Sequence, residues 1–204
     1  KEDIDKIQKI LGQSNIENKF KSVDLQDFKD KIKPGYSKAK FSNMANFYTS
    51  LKIAKEGSAD IVYFVEDDYL HSEYAITEMI FAYEKFNAIF SNDLVLLPSD
   101  YPYLYAKDEV TKIYLGEKYH WRLISESLVT FMTSKRVIEE NYKSLEKMGI
   151  EWIDPWEKPL HDIYKSILCL STVPSIAVQC ANINLDFGVS PFVDLKRLWE
   201  KNKD

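Results

Sequence analysis

Three consecutive carboxylates, Glu66, Asp67 and Asp68, follow directly on the apolar run Ile61-Val62-Tyr63-Phe64-Val65. Neighbouring carboxylates repel one another, and the end of a buried strand is partly desolvated, so keeping all three ionised there is costly. A divalent cation removes that cost, because Mg²⁺ and Mn²⁺ prefer carboxylate oxygens. Mg²⁺ typically takes one or two carboxylates together with the phosphates of a substrate. The plainer reading is an acidic loop leading into a helix, since Asp and Glu favour a helix's first turn. The residues alone leave both readings open.

Other side chains carry chemistry less specifically. Arg122, next to Trp121, can grip a phosphate in bidentate fashion or form a surface salt bridge. His71 and His120 have ligand chemistry, but a lone His among aromatics is more often a hydrogen-bonded structural residue. Trp152 and Trp156 flank a Pro-bearing loop and read either as a platform for a sugar or as core. Gly-rich phosphate loops, Ser nucleophile elbows and CxxC knuckles are absent from the sequence, which argues against kinases, α/β-hydrolases and nicotinamide enzymes.

The elements that must position these residues follow from periodicity. A short helix with Ile4, Ile7, Ile10 and Leu11 at helical spacing stops at Gly12. A short strand is expected around Phe20 to Val23, and Pro34-Gly35 marks a turn. A second helix carries Met44, Phe47, Tyr48, Leu51 and Ala54 on one face and ends near Gly57. The run from Asp60 to Val65 reads as a buried central strand. After the triplet comes a helix with an apolar stripe of Ile76, Met79, Ile80, Tyr83 and Phe86. Asp93 to Leu97 reads as a second buried strand, residues 98–124 as a loop-rich aromatic stretch, and Ser127 to Met132 as a third strand. Ser134 is expected to cap a helix running to about Met148, with Gly149 ending it. A short helix beginning near His161 and a helical piece around Leu195 to Trp199 complete the chain. Apolar strands alternating with amphipathic helices predict an α/β fold with a mostly parallel or mixed sheet. Such sheets place ligands beyond the carboxyl ends of their strands, where the acidic triplet sits.

The chain has 204 residues, of which 45% are hydrophobic and 29% charged, enough for one ordinary domain with a real core. A formal net charge of −5 argues against general nucleic-acid binding, which needs a basic face. Its two cysteines, Cys169 and Cys180, lack metal-cluster spacing and suit a reduced, cytoplasmic setting. No apolar run reaches the roughly 18 residues needed to span a bilayer. The chain begins Lys1-Glu2-Asp3, with no signal-peptide core and no Met, which suits a fragment.

The segment Asp60-Ile61-Val62-Tyr63-Phe64-Val65-Glu66-Asp67-Asp68-Tyr69-Leu70-His71 resembles the strand and DxD-type motif of GT-A fold glycosyltransferases, in a bacterial and viral branch. The preceding helix, from Ser42-Asn43-Met44-Ala45-Asn46 to Ala54-Lys55, resembles the segment where a polar residue approaches the nucleotide or sugar, here Asn46. Asp100-Tyr101-Pro102-Tyr103, His120-Trp121-Arg122 and Ser127 to Phe131 look like successive blocks of the same branch. So do Pro174 to Cys180 and Ser190-Pro191-Phe192-Val193-Asp194, with Gln179 where the branch places a His nearby. The resemblance covers about residues 40–200.

That resemblance implies a GT-A-like mixed sheet flanked by helices in one catalytic domain. Residues 1–40 are expected to be a remnant of an incomplete nucleotide side, and 41–204 the core with the acceptor side. It implies a metal-dependent, inverting transfer of a sugar from a nucleotide-diphosphate donor to a glycan or lipid-linked hydroxyl. Mn²⁺ or Mg²⁺ would be held by Asp68 first and Glu66 second. Asn46, Glu66, Asp67, Asp100 and Arg122 would contact the donor. His161-Asp162 matches a family Glu-Asp pair, and Asp162 is expected to be the general base. A plain helix-start charge is the alternative for Asp162. Peripheral membrane association fits a lipid-linked acceptor. The competing readings are an inactive GT-A-like binding or assembly module, and a metal-dependent phosphoesterase.

Overall fold

A computed structural model describes residues 2–13, 15–106, 108–181, 189 and 192–203. Ser190 and Pro191, part of the closing block of the resemblance, lie outside the described residues. The helices are α1 (Glu2–Leu11), α2 (Lys38–Glu56), α3 (Ala75–Phe90), α4 (Lys135–Glu140), α5 (Tyr142–Ile150), α6 (Lys158–Ile163) and α7 (Leu195–Asn202). The strands are β1 (Ile61–Phe64), β2 (Tyr69–His71), β3 (Leu94–Leu97), β4 (Ile113–Leu115), β5 (His120–Ile124), β6 (Phe131–Ser134), β7 (Leu168–Val173) and β8 (Ala177–Gln179).

The fold is α/β with a mixed sheet, as the alternation of strands and helices predicts. Six strands run in the order β1-β6-β3-β7-β5-β4, and β2 pairs with β8 in a separate ribbon. Only the β3–β7 pair is parallel among the described residues. The sheet is covered on both faces. Along β3, Val95 and Leu97 join one core while Leu94 and Leu96 join the other, the two-residue period of a pleated strand. The first core packs α2, α5 and α6 residues such as Leu51, Leu145 and Leu160; the second packs Met79, Tyr83 and Phe86 of α3. All four β3 residues are fully buried, which is why their run is continuously apolar.

Several elements differ from expectation. Residues 17–24, including Phe20 to Val23, form no strand; Phe20 is exposed and has no sheet neighbour to pair with. Residues 98–124 hold the hairpin β4–β5, and β7 and β8 lie in a stretch where no strand was expected. The third expected strand shifts to Phe131–Ser134, leaving residues 127–130 as a connector. Ser134 does cap a helix, its side chain accepting from the Val137 N–H at 3.1 Å. That helix is interrupted at Asn141, giving α4 and α5. Gly149 sits inside α5 rather than ending it. A Cβ there would lie 2.7 Å from the Tyr48 Cβ, so the glycine lets α5 press onto α2. On α3, Ile76 and Ile80 of the expected apolar stripe remain 44% and 40% exposed, while Met79, Tyr83 and Phe86 are buried.

Candidate functional site

β1 is an edge strand, and α2 runs beside it, leaving an open cleft of about 920 Å³. One wall is the polar stripe of α2, with Asn43, Asn46 and Ser50 at i, i+3 and i+7. The opposite wall is Val62 to Val65 of β1 and its continuation. Phe47, Val129 and Trp156 supply apolar lining, and Glu66, Asp67 and Asp68 close one end. Among the described residues, no Lys or Arg lines the cleft. Amide and hydroxyl groups over aromatic surface suit hydroxylated, uncharged ligand parts, whereas an anion entering here meets only carboxylates.

The acidic turn is held by its backbone. The Glu66 N–H donates to the Thr130 hydroxyl at 3.1 Å, and the Cys180 N–H donates to the Asp68 carbonyl at 2.7 Å. The second contact extends the β2–β8 ribbon, whose register sets Tyr69 opposite Gln179. Gln179 thus stands beside the acidic turn. Tyr69 and Tyr101 share a buried hydroxyl–hydroxyl bond of 2.6 Å beneath the turn.

The carboxylates feel both burial and each other. Burial pushes the Glu66 carboxyl up to about 7, helped by repulsion from Asp68, Glu157 and Asp67. Glu157 is raised as well, chiefly by burial. The Asp68 Oδ1 is buried without a hydrogen-bond partner. A buried carboxylate oxygen left unpaired is costly unless a cation or donor reaches it. Among the described residues, no three His, Cys, Asp or Glu side chains group to hold a metal ion. A cation here would therefore rest on Asp68 and Glu66 and complete its shell from outside the chain. Hard oxygen donors of this kind fit Mg²⁺ or Mn²⁺.

The other expected site residues lie elsewhere. Asp100 and Arg122 do not line the cleft; they form a buried ion pair with each other. The Tyr105 hydroxyl also donates to Asp100, and the Arg122 guanidinium lies 4.4 Å from the Tyr105 ring centroid. Burial nevertheless holds the Asp100 carboxyl above its ordinary value. Arg122 is thus engaged by a carboxylate rather than open to a phosphate, although its Nε is unpaired. His161 packs under the connector before β6, its Nε2 lying 3.0 Å from the Ser127 N and 2.9 Å from the Ser127 O. Asp162 faces solvent between two lysines, bonded to Lys165 at 2.5 Å and Lys158 at 3.5 Å. The Lys165 bond leads in holding its carboxyl below the ordinary value.

His71 is structural, with its Nε2 2.7 Å from the Tyr63 hydroxyl, and His120 is exposed on β5. Trp156 stacks on Trp152 with centroids 5.2 Å apart and donates from Nε1 to the Met148 carbonyl, so it is a core residue with one side on the cleft. Sequence reasoning missed Glu157, Thr130 and the full stripe of Asn43 and Ser50. The stripe had a signal: it is the polar complement of the apolar face of α2. Thr130 and Glu157 had none, because only the tertiary fold brings them to the turn.

No family model and no curated protein matches the chain.

Proposed function

We propose that this chain is a glycosyltransferase whose cleft between α2 and β1 takes a nucleotide-diphosphate sugar. The observation that carries the reading is the unpaired, buried Asp68 Oδ1 at the acidic end of a cleft otherwise walled by amides, hydroxyls and aromatics. A Mg²⁺ or Mn²⁺ bound there would neutralise charge on the leaving diphosphate. The chain's own residues do the rest. Asp68 and Glu66 present oxygens to the cation. Asn43, Asn46 and Ser50 are placed to hydrogen-bond ribose or sugar hydroxyls, and Phe47 and Trp156 give a face for a ring.

The proton acceptor for the acceptor hydroxyl is better sought at Glu157 than at Asp162. Glu157 does not itself line the cleft, but it follows the cleft residue Trp156 and acts electrostatically on Glu66, and burial makes it the stronger base. Asp162 is engaged by two lysines. With Glu157 as base the transfer would be a single, inverting displacement onto a glycan or lipid-linked hydroxyl. The test is incubation with a panel of sugar nucleotides and Mn²⁺, following nucleotide release. Release that depends on an added acceptor supports the reading; no donor bound or consumed ends it.

The engagement of Asp162 also favours a second reading, a nucleotide-sugar binding module without turnover. Calorimetry with UDP, GDP and dTDP separates the two: tight binding with no turnover selects the module.

A further inference from the structure

α7 lies on β2, the strand that begins one residue after Asp68. Two stripes divide it. Leu195, Leu198 and Asn202, at i, i+3 and i+7, face inward: the leucines are half-buried, and the Asn202 side chain donates to the His71 carbonyl at 3.1 Å. Lys196, Trp199 and Lys203 repeat the same spacing one residue on and face outward. Trp199 is 54% exposed, and Phe192, three residues before the helix, is 93% exposed.

The charge is local and of unusual sign for this chain. Residues 195–203 hold Lys196, Arg197, Lys201 and Lys203 against the single acid Glu200, within a protein of formal net charge −5. Part of it is already answered, since Lys201 lies 3.6 Å from Glu73 and Lys203 lies 3.9 Å from Glu200. Among the described residues, Lys196 and Arg197 form no ion pair, and α7 buries no residue fully. A Trp flanked by lysines on one exposed stripe matches an interfacial helix, in which the aromatic sits at headgroup depth and the ammonium groups meet lipid phosphates. Within a Debye length, contact charge outweighs the net charge of the whole chain.

We propose that α7 is an interfacial anchor binding the surface of an anionic lipid bilayer, with Trp199 and Phe192 among the headgroups and Lys196 and Lys203 on lipid phosphates. Docking through α7 would hold the acidic end of the cleft near the bilayer, where a lipid-linked acceptor would be presented. That consequence rests on the proposed transferase activity; the binding itself does not.

The experiment is co-sedimentation of the intact chain with phosphatidylcholine vesicles, with and without equimolar phosphatidylglycerol, at low and raised salt. No donor or turnover is involved, so failure here leaves the cleft's function untouched. Binding is expected to the anionic vesicles alone and to weaken with salt. Lys196→Gln with Lys203→Gln should lower the partition coefficient by about tenfold or more, and Trp199→Ser by about fivefold. These side chains are exposed, and an unchanged far-ultraviolet spectrum confirms that the variants are folded. Absence of binding at low salt, or binding that neither variant weakens, overturns the proposal. So does a dimer seen by light scattering that Trp199→Ser abolishes, because the stripe would then be covered by a second copy.

Discussion

Glu66 turns the cost of the acidic end into a measurable pH dependence. Its carboxyl titrates near 7 in the folded chain against an ordinary value of 4.5, so the folded state holds the proton more tightly. Its contribution therefore favours folding most below about 4.5 and is lost as pH rises through 7. Glu66→Gln should remove that loss, raising stability at pH 8 relative to pH 5 by of order 2 kcal/mol compared with the parent. Urea midpoints at the two pH values check it, and an unchanged pH slope would contradict it. A divalent cation should restore stability at pH 8 in the parent more than in the variant. A second prediction separates the two candidate bases. Glu157→Gln should cut transfer by roughly 10²-fold while leaving donor affinity nearly intact. Asp162→Asn should change turnover little, because its carboxylate is already engaged by Lys158 and Lys165. Single-turnover assays on both variants decide between them, and loss only in Asp162→Asn would reverse the assignment.

At the scale of elements, close approach of α5 to α2 sets the back of the cleft wall. Gly149→Ala would gain about 1 kcal/mol of helix propensity. It would also push a methyl against Tyr48, where contacts of 2.7 Å and 3.0 Å leave no room. Overpacking of this kind costs about 1–3 kcal/mol, so the variant should be destabilised on balance. A thermal midpoint equal to or above the parent's would show that the two helices separate more easily than their packing suggests. The elements also mark what the sequence makes legible. β3 reads correctly because it is a short run of continuous apolar character ending at Pro98, whereas the run at β1, expected as a buried central strand, is a strand at the sheet edge with Ile61 to Tyr63 only half-buried. α2 reads correctly from its stripe, and α3 reads as a helix although Ile76 and Ile80 of its expected stripe are exposed. β4 and β5 escaped because Ile113 and Leu115 are exposed, and His120 and Arg122 interrupt the apolar pattern. β7 carries Ser171 and Thr172, fully buried through bonds to the Ser99 and Pro98 carbonyls, a satisfaction no local pattern reveals.

At the scale of the whole molecule, the acidic triplet, singled out from its residues, and Asn46, taken from the resemblance, line one cleft because one strand and one helix place them there. Asp100, Arg122, His161 and Asp162 were carried over by resemblance, and the fold sets each against another partner. Asp162 pairs locally with Lys158 and Lys165, whereas the contacts of Arg122 with Asp100 and of His161 with Ser127 span tens of residues, and only the completed fold brings such groups together. The same holds for the pairing of Tyr69 with Gln179, which fixes the acidic turn across two distant segments. None of the described helices is long and apolar enough to cross a membrane.

The central claim is that the cleft binds a nucleotide-diphosphate sugar through the unpaired Asp68 carboxylate. The most direct measurement is calorimetric titration of UDP-, GDP- and dTDP-sugars into the parent chain and Asp68→Asn, with and without Mn²⁺. At least one donor should bind the parent in a Mn²⁺-dependent way. Asp68→Asn should weaken it by about tenfold to a hundredfold, the scale of losing a charged partner, because an amide cannot replace a carboxylate on a hard cation. Donor binding of equal strength in both proteins, or no binding of any donor to the parent, would contradict the account.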